Sequence, residues 1–168
     1  MEPQMQQAGV LLADVMGRDR SMNAFAGFAR DAEAVARRLG DAAARSTVLA
    51  PSNAAVDRLP RKPWEDPRDY DALGATAYDG EPGQDRARRN LRRFVEAHVV
   101  AASPWLEGEG EGESARARTL LDGDREIWWE TRSDGVRVIQ PDNIEVESIA
   151  SRVGNGEVWI LKGVRNYA

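Results

Sequence analysis

His98 is the only imidazole in this 168-residue chain, and cysteine is absent, so the inventory for nucleophilic, general-base and metal chemistry is short. A serine triad needs the imidazole beside a hydroxyl and a carboxylate. Ser103 follows closely in sequence, but no glycine-framed strand-to-helix turn surrounds it. One histidine with carboxylates is a poor zinc ligand set. Asp122 and Asp124 could divide acid and base work across a cleft, although Asp-Gly-Asp is more simply a turn. Arg86, Arg88, Arg89, Arg92 and Arg93 gather on one stretch and could hold phosphates. On a chain with formal net charge −5, a solvated helix face is the plainer reading. In residues 107–113 four glutamates alternate with glycine; they repel each other and any phosphate, and they lack the ligand spacing of a calcium loop. A mobile acidic loop is expected there. No enzyme and no cofactor is read from these residues.

Composition narrows the class. The length suits one domain with a core that needs no disulfide staples. The acidic balance argues against nucleic acid as a partner. No run approaches the ~20 apolar residues of a membrane span. Met1-Glu2-Pro3-Gln4 has neither the basic nor the apolar part of a signal peptide, and no Asn-x-Ser/Thr acceptor for N-glycosylation occurs.

The elements that must position these side chains follow from periodicity. Thr47-Val48-Leu49-Ala50 is uncharged and β-branched at its start, a strand buried on both faces. Pro51 should end it, and Ser52 should cap a helix through Ala54, Ala55 and Val56 that stops at Leu59-Pro60. Upstream, Val10, Leu11, Leu12 and Val15 suggest a helical turn. Ser21 is the expected cap of one amphipathic helix carrying Phe25, Phe28, Ala32, Val35 and Leu39, closed by Gly40. Residues 60–84, with four prolines and three glycines, read as a long irregular connection pinned by Trp64, Tyr70 and Tyr78. Residues 86–100 form a second helix with Leu91, Phe94, Val95 and His98 on its apolar face. A histidine there is more simply a hydrogen-bonded core residue than a ligand or base. Two strands, residues 125–131 and 136–140, should meet at Ser133-Asp134-Gly135. Residues 144–149 suggest another strand, and Asn155-Gly156 turns into Glu157-Val158-Trp159-Ile160-Leu161, a last strand apolar on both faces.

Three of these segments together resemble the fasciclin-type (FAS1) domain. Thr47 to Asn53, with Ala50 and Pro51, resembles its first signature, although Leu49 and Val56 stand where aromatics are usual. Asn155-Gly156 and the strand after it resemble the second signature, and His98 the histidine that follows an apolar helix. Trp128-Trp129-Glu130 and Gly156-Glu157-Val158-Trp159 are most similar to the fungal branch. The resemblance implies an α+β fold: a single FAS1 domain over residues 10–168 behind a tail of residues 1–9, with a twisted β-wedge of two packed sheets flanked by helices. The second-signature strand would lie beside the first.

It also implies a non-catalytic interaction or adhesion module of the secretory pathway (secreted, at the cell surface, or in the vacuole lumen) that binds protein or carbohydrate at a cell surface or wall. The expectation is then a mature domain without its leader, with a native start at Met1 as the alternative. Two adhesion marks of animal relatives are replaced here: a Tyr-His pair by Ala97-His98, and an Asp-Ile pair by Ala150-Ser151. Integrin-type binding is therefore not carried over. The expected contact residues are Pro104, Trp105, Trp64 and Tyr70, with Trp105 either an exposed anchor or a plug of the core. The rival readings are a small-molecule or lipid site near Trp105, Trp128 or Trp129, and a carboxylate-dependent hydrolase.

Overall fold

Six strands hydrogen-bond into one mixed sheet in the order β2-β1-β6-β5-β4-β3. The computed structural model describes residues 9–108 and 116–167. β1 (Ser46–Pro51) is buried at every position and runs parallel to β6 (Gly156–Leu161), from Ser46 opposite Gly156 to Pro51 opposite Leu161. Both signature segments are thus adjacent central strands. Pro51 closes the strand from inside it, because the ladder continues through the Ser52 N–H, which donates to Leu161 O at 2.9 Å.

β5 (Ile144–Val153) follows β6 antiparallel with register shifts between Val146 and Ser148 and between Ile149 and Ser151. Such irregularities sharpen twist and bend a strand. They curl the sheet so that β4 (Arg137–Gln140) and β3 (Trp128–Thr131) fold back over it, and Trp129 of β3 meets Trp159 of β6 edge to face, ring centroids 5.5 Å apart. The two packed layers of the wedge are therefore one continuous sheet. Inside the curl lie Leu49, Ile127, Trp105, Trp129, Ile139 and Trp159; on its outer side, helices cover Val48, Ala50, Val158 and Ile160.

The helical layer departs from the sequence reading in three places. The helix expected over residues 86–100 runs instead from Gly80 to Glu96, with His98 in the turn after it and Val99–Val100 in a strand. The single helix expected over residues 21–39 is broken. A 3-10 turn (Arg20–Met22), held by the Asp19 side chain rather than capped by Ser21, leads into α2 (Asn23–Asp31); Ala32 then leaves helical geometry before α3 (Glu33–Leu39). The break lets Phe25 and Ala29 of α2, and Val35 and Leu39 of α3, all reach the core though α2 and α3 do not share an axis. Residues 60–84 are not irregular throughout. They contain α5 (Pro67–Leu73), a 3-10 turn (Gly74–Thr76) and the first turn of α6 (Gly80–Glu96). Four prolines hid these helices, yet Pro67 and Pro82 both fall in first turns, where no N–H is needed.

Short α1 (Leu12–Val15) packs beside α3, and α4 (Asn53–Asp57) is capped by Ser52, whose hydroxyl accepts from the Ala55 N–H at 3.1 Å. The expected strand over residues 125–131 begins only at Trp128; Ile127 instead bridges Ala117. The first two residues of the acidic loop are held, with the Glu107 carboxylate accepting from the Thr131 N–H at 2.6 Å and the Gly108 N–H donating to Trp129 O at 2.8 Å. The rest of that loop, residues 109–113, and the tail, residues 1–8, lie outside the described residues.

Both sheet edges are partly occupied. The Ala101 and Leu120 N–H groups bond Arg118 O and Val99 O along β2 (Val99–Val100), while Glu107 and Gly108 sit on β3. An unpaired edge is the usual template for strand addition; the two end strands are partly taken up in this way, whereas β5 pairs with β4 only at Ile144 and Glu145.

Candidate functional site

Asn155, Asn53 and His98 are scaffold residues whose polar atoms bond the backbone of other segments. Asn155 Oδ1 accepts from the Leu12 N–H at 2.8 Å, and its Nδ2 donates to Leu39 O and Asp41 O at 3.0 and 3.1 Å. Asn53 does the same for α2, accepting from the Ala24 N–H and donating to Arg20 O. Thr47 Oγ1 donates to Ala102 O at 2.7 Å. Gly156 must be glycine because a Cβ there would lie 1.8 Å from Ser46 O, across the β1–β6 contact.

His98 is fully buried and fixed at both nitrogens. Nδ1 lies 2.7 Å from Phe94 O, and Nε2 accepts from the Arg165 backbone N–H at 3.0 Å. A carbonyl can only accept, so the proton sits on Nδ1 and the ring is neutral. Burial is the main reason its pKa falls to about 3, and the Arg165 charge adds to it. The Arg165 side chain, 1% exposed, donates to Ala97 O at 2.6 Å, Asp124 Oδ2 at 2.9 Å and Asp142 Oδ2 at 2.7 Å. Asp124 also accepts from Thr119 Oγ1 and the Arg125 N–H. Although burial opposes ionisation, the Arg165 and Thr119 bonds hold its carboxyl below the usual range. An acid so engaged has no proton to give a substrate, and Asp122 is exposed. Nothing in the short C-terminal sequence announced Arg165.

Three of the five arginines in the α6 run are ion-paired in place. Arg88 pairs with Asp85 at 2.8 Å, Arg89 with Asp69 at 3.5 Å and Arg92 with Glu96 at 4.0 Å, all with exposed guanidinium groups; Arg86 donates to Ala77 O. Such surface pairs add little stability. Each nevertheless supplies an acid where a phosphate would need none. Among the described residues no group of three His, Asp or Glu side chains is placed to hold a metal ion.

Of the expected contact residues, Trp105 is a core residue. It is 3% exposed and stacks on Trp159 at 5.3 Å, with Trp129 Nε1 donating to its carbonyl at 2.9 Å. The Arg137 guanidinium lies 3.8 Å over Trp129 and 4.7 Å over Trp159. These rings fill the space in which a small-molecule site was weighed. Pro104 is exposed beside them, and Trp128 is half-buried beneath Arg116.

Trp64 and Tyr70 both lie on the 60–84 excursion and are linked through Glu65, which lines a groove with Trp64 and accepts from the Tyr70 hydroxyl. Asp66 caps α5 by accepting from the Arg68 N–H, and positive-φ Gly74 ends it. The excursion is fastened to α6 by Asn90, whose Nδ2 donates to Trp64 O and Asp69 Oδ2, both at 2.9 Å. Tyr78 Oη accepts from the Asp66 N–H at 2.7 Å and donates to Asp69 at 2.9 Å. Gly83 touches the Tyr78 backbone so closely that a Cβ would lie 2.1 Å from its carbonyl carbon. A lone asparagine in line with Phe94 on a helix's apolar side was the available signal, because a buried amide requires partners.

Held this way, the excursion presents Tyr70 and Leu73 at 39% and 45% exposure. Tyr70 donates to Glu65 Oε2 at 2.5 Å, a bond that pushes its pKa up to about 12. Next to it runs a groove of about 380 Å³ whose apolar lining is Phe28, Val56, Leu59, Pro60, Pro63 and Trp64, with Asp57, Arg61, Lys62 and Glu65 at its polar margin.

A curled mixed sheet with its first and last strands parallel at the centre, flanked by helices, is the architecture of the FAS1 fold. The solved FAS1 domain pair from the insect cell adhesion molecule fasciclin I superposes with a TM-score of 0.60 at 14% identity, over 94% of this chain and 51% of that one. FAS1 domain-containing proteins of Neurospora crassa, Emericella nidulans and Aspergillus fumigatus are 60%, 52% and 47% identical to it over 95%, 92% and 94% of its length. The chain belongs to this fungal group of FAS1 domain proteins. It spans 66%, 61% and 64% of the lengths of those relatives. No protein-family model matches it.

Proposed function

We propose that the chain is a non-catalytic interaction module of the secretory pathway or cell surface that binds a protein or carbohydrate partner through the Trp64–Tyr70 face. The observation that carries this reading is the groove walled by Trp64 and Phe28 beside the exposed Tyr70 and Leu73. The groove's lining is polar and apolar in about equal parts, as suits a partner that offers both kinds of contact, and aromatic anchors supply most of the energy of such contacts. The marginal charges, Asp57 and Glu65 against Arg61 and Lys62, balance, which suits a partner without strong net charge. His98, Asp124 and the α6 residues Arg86, Arg88, Arg89 and Arg92 are committed to internal partners, which supports binding rather than turnover.

The test compares wild type with Trp64→Ala and Tyr70→Ala on isolated fungal wall polysaccharide and on a panel of purified secreted proteins. Binding should fall about tenfold or more in each variant, about 1.4 kcal/mol, with the thermal midpoint little changed. Undiminished binding by both variants would overturn the assignment of this face. A reproducible hydrolytic turnover abolished by one carboxylate substitution would overturn the non-catalytic reading.

A further inference from the structure

We propose that residues 163–167 are a strap that lets go of the body in mild acid, through protonation of His98, while β1 and β6 stay paired. The strap leaves β6 after Lys162, which is itself held by the Arg58 side chain at its carbonyl and by Glu145. Beyond that point Arg165 is the fastener. Its guanidinium reaches the end of α6 at Ala97, the 119–124 turn at Asp124 and the β4–β5 turn at Asp142, and its backbone N–H is received by the His98 ring. Tyr167 then lies edge-on to Phe94 at 5.0 Å.

Proton uptake by His98 and docking of the strap exclude each other. Nε2 carries the lone pair that accepts the Arg165 N–H; once protonated, it is a donor 3.0 Å from another donor. The imidazolium would also sit, fully buried, beside the Arg165 cation. Among the described residues no carboxylate bonds the ring itself; Asp124 and Asp142 are both spent on Arg165, and the Asp124 charge favours the protonated ring less than burial opposes it. The other rings against it, Phe25 and Phe94, carry no charge. The charged groups near Tyr167 are Arg61, Glu65, Asp66 and Arg93. Glu65 and Asp66 are both held below the usual carboxylate range, chiefly by hydrogen bonds from Tyr70 and Arg68, and Asp124 likewise keeps its charge in mild acid. His98 is therefore the group whose titration drives release. With the strap off, the imidazole regains access to water and an ordinary pKa near 6.5, so the open fraction should rise about tenfold for each pH unit below that value. Departure of Tyr167 bares Phe94, which packs on Phe28 at 6.0 Å, and Phe28 lines the groove. Release would extend that apolar surface.

Amide hydrogen exchange on the whole chain tests this, read as protection factors corrected for the intrinsic pH dependence of exchange. From pH 6.5 to 4.5 the Arg165 amide and its strap neighbours should lose about 50-fold in protection, because half of the opened imidazoles already carry the proton at pH 6.5, while Val48 to Ala50 and Val158 to Ile160 keep theirs. His98→Gln offers an acceptor that does not titrate, and its strap protection should be flat across the same range. In Arg165→Ala the sole imidazole should titrate near 6.5 by NMR. Wild-type strap protection that does not change with pH would overturn the proposal. So would a uniform loss that includes β1 and β6, or a pH response that survives in His98→Gln. If His98→Gln does not fold, the wild-type profile and the Arg165→Ala titration decide.

Discussion

The Trp105 indole lies on the Trp159 indole with centroids 5.3 Å apart and planes 17° from parallel. Trp159 is the central tryptophan of β6, so Trp105 is the cover that the loop after β2 lays over the inside of the curled sheet. Trp105→Ala should therefore cost about 3–5 kcal/mol of stability, the range for emptying a large aromatic site in a core. Chemical denaturation measures this directly. A variant of unchanged stability with a selective binding defect would restore Trp105 to the contact surface.

The difference between Trp105 and Trp64 marks where sequence reasoning was strong. The periodic segments carried their own answers. Val48 to Ala50 and Val158 to Ile160 are apolar on both faces because both sides of the sheet are covered, and Ser52 announced the helix it caps. Trp105 follows a proline in a stretch without periodicity, and only the curl of the sheet, set by irregularities in β5, decides which way it points. Ala32 is another such case. It fits the apolar stripe of a continuous helix, and the chain breaks there because two shorter helices bury more of that stripe. Arg165 was illegible for a different reason. Its three acceptors come from segments distant in sequence, and a single arginine near a terminus gives no sign of them.

Gly156 should not tolerate alanine. Its φ of 157° lies in the positive range that L side chains rarely adopt, and contact adds to the demand for glycine: an added Cβ would meet Ser46 O at 1.8 Å and Leu12 Cδ1 at 2.9 Å. Backbone cannot yield as a side-chain tip can, and the strand pair must separate locally. Gly156→Ala is expected to cost at least about 2–3 kcal/mol, the upper range for overpacking, read as a drop in the urea midpoint. A change below about 0.5 kcal/mol would show that β1 and β6 are farther apart here.

Asn90→Leu should loosen the excursion without unfolding the domain. The substitution keeps α6 helical but strips Trp64 O of its donor and removes one hydrogen bond from Asp69. Leaving such a group unsatisfied costs about 1–3 kcal/mol, charged chiefly to residues 64–78. Hydrogen exchange should accelerate there and not in β1, and partner binding at the Trp64–Tyr70 face should weaken in parallel. Faster exchange with undiminished binding would separate that face from the function.

Acid should destabilise the domain through His98, and the sign follows from which state binds the proton. In the folded chain burial depresses the imidazole pKa to about 3, against a model value of 6.5. Above pH 6.5 neither state is protonated and the full stability is present. Between 6.5 and 3 the unfolded chain takes a proton that the folded one refuses, so stability falls as pH drops, by up to about 1.4 kcal/mol per unit. Asp124 is held below its ordinary value of 3.8, so its contribution is fully present well above that pH and is lost progressively as the pH falls through and below it. Strap release makes the slope shallower, because an opened but otherwise folded chain can take the same proton. From pH 7 to pH 5 the wild type should lose no more than about 2 kcal/mol, the product of that slope and the interval below 6.5. His98→Gln should lose much less over the same range. Urea denaturation at both pH values, with strap exchange followed on the same samples, distinguishes the cases. Equal stability at pH 5 and pH 7 with the strap still protected would mean that the imidazole takes its proton while docked, and the buried neutral ring described above would be wrong.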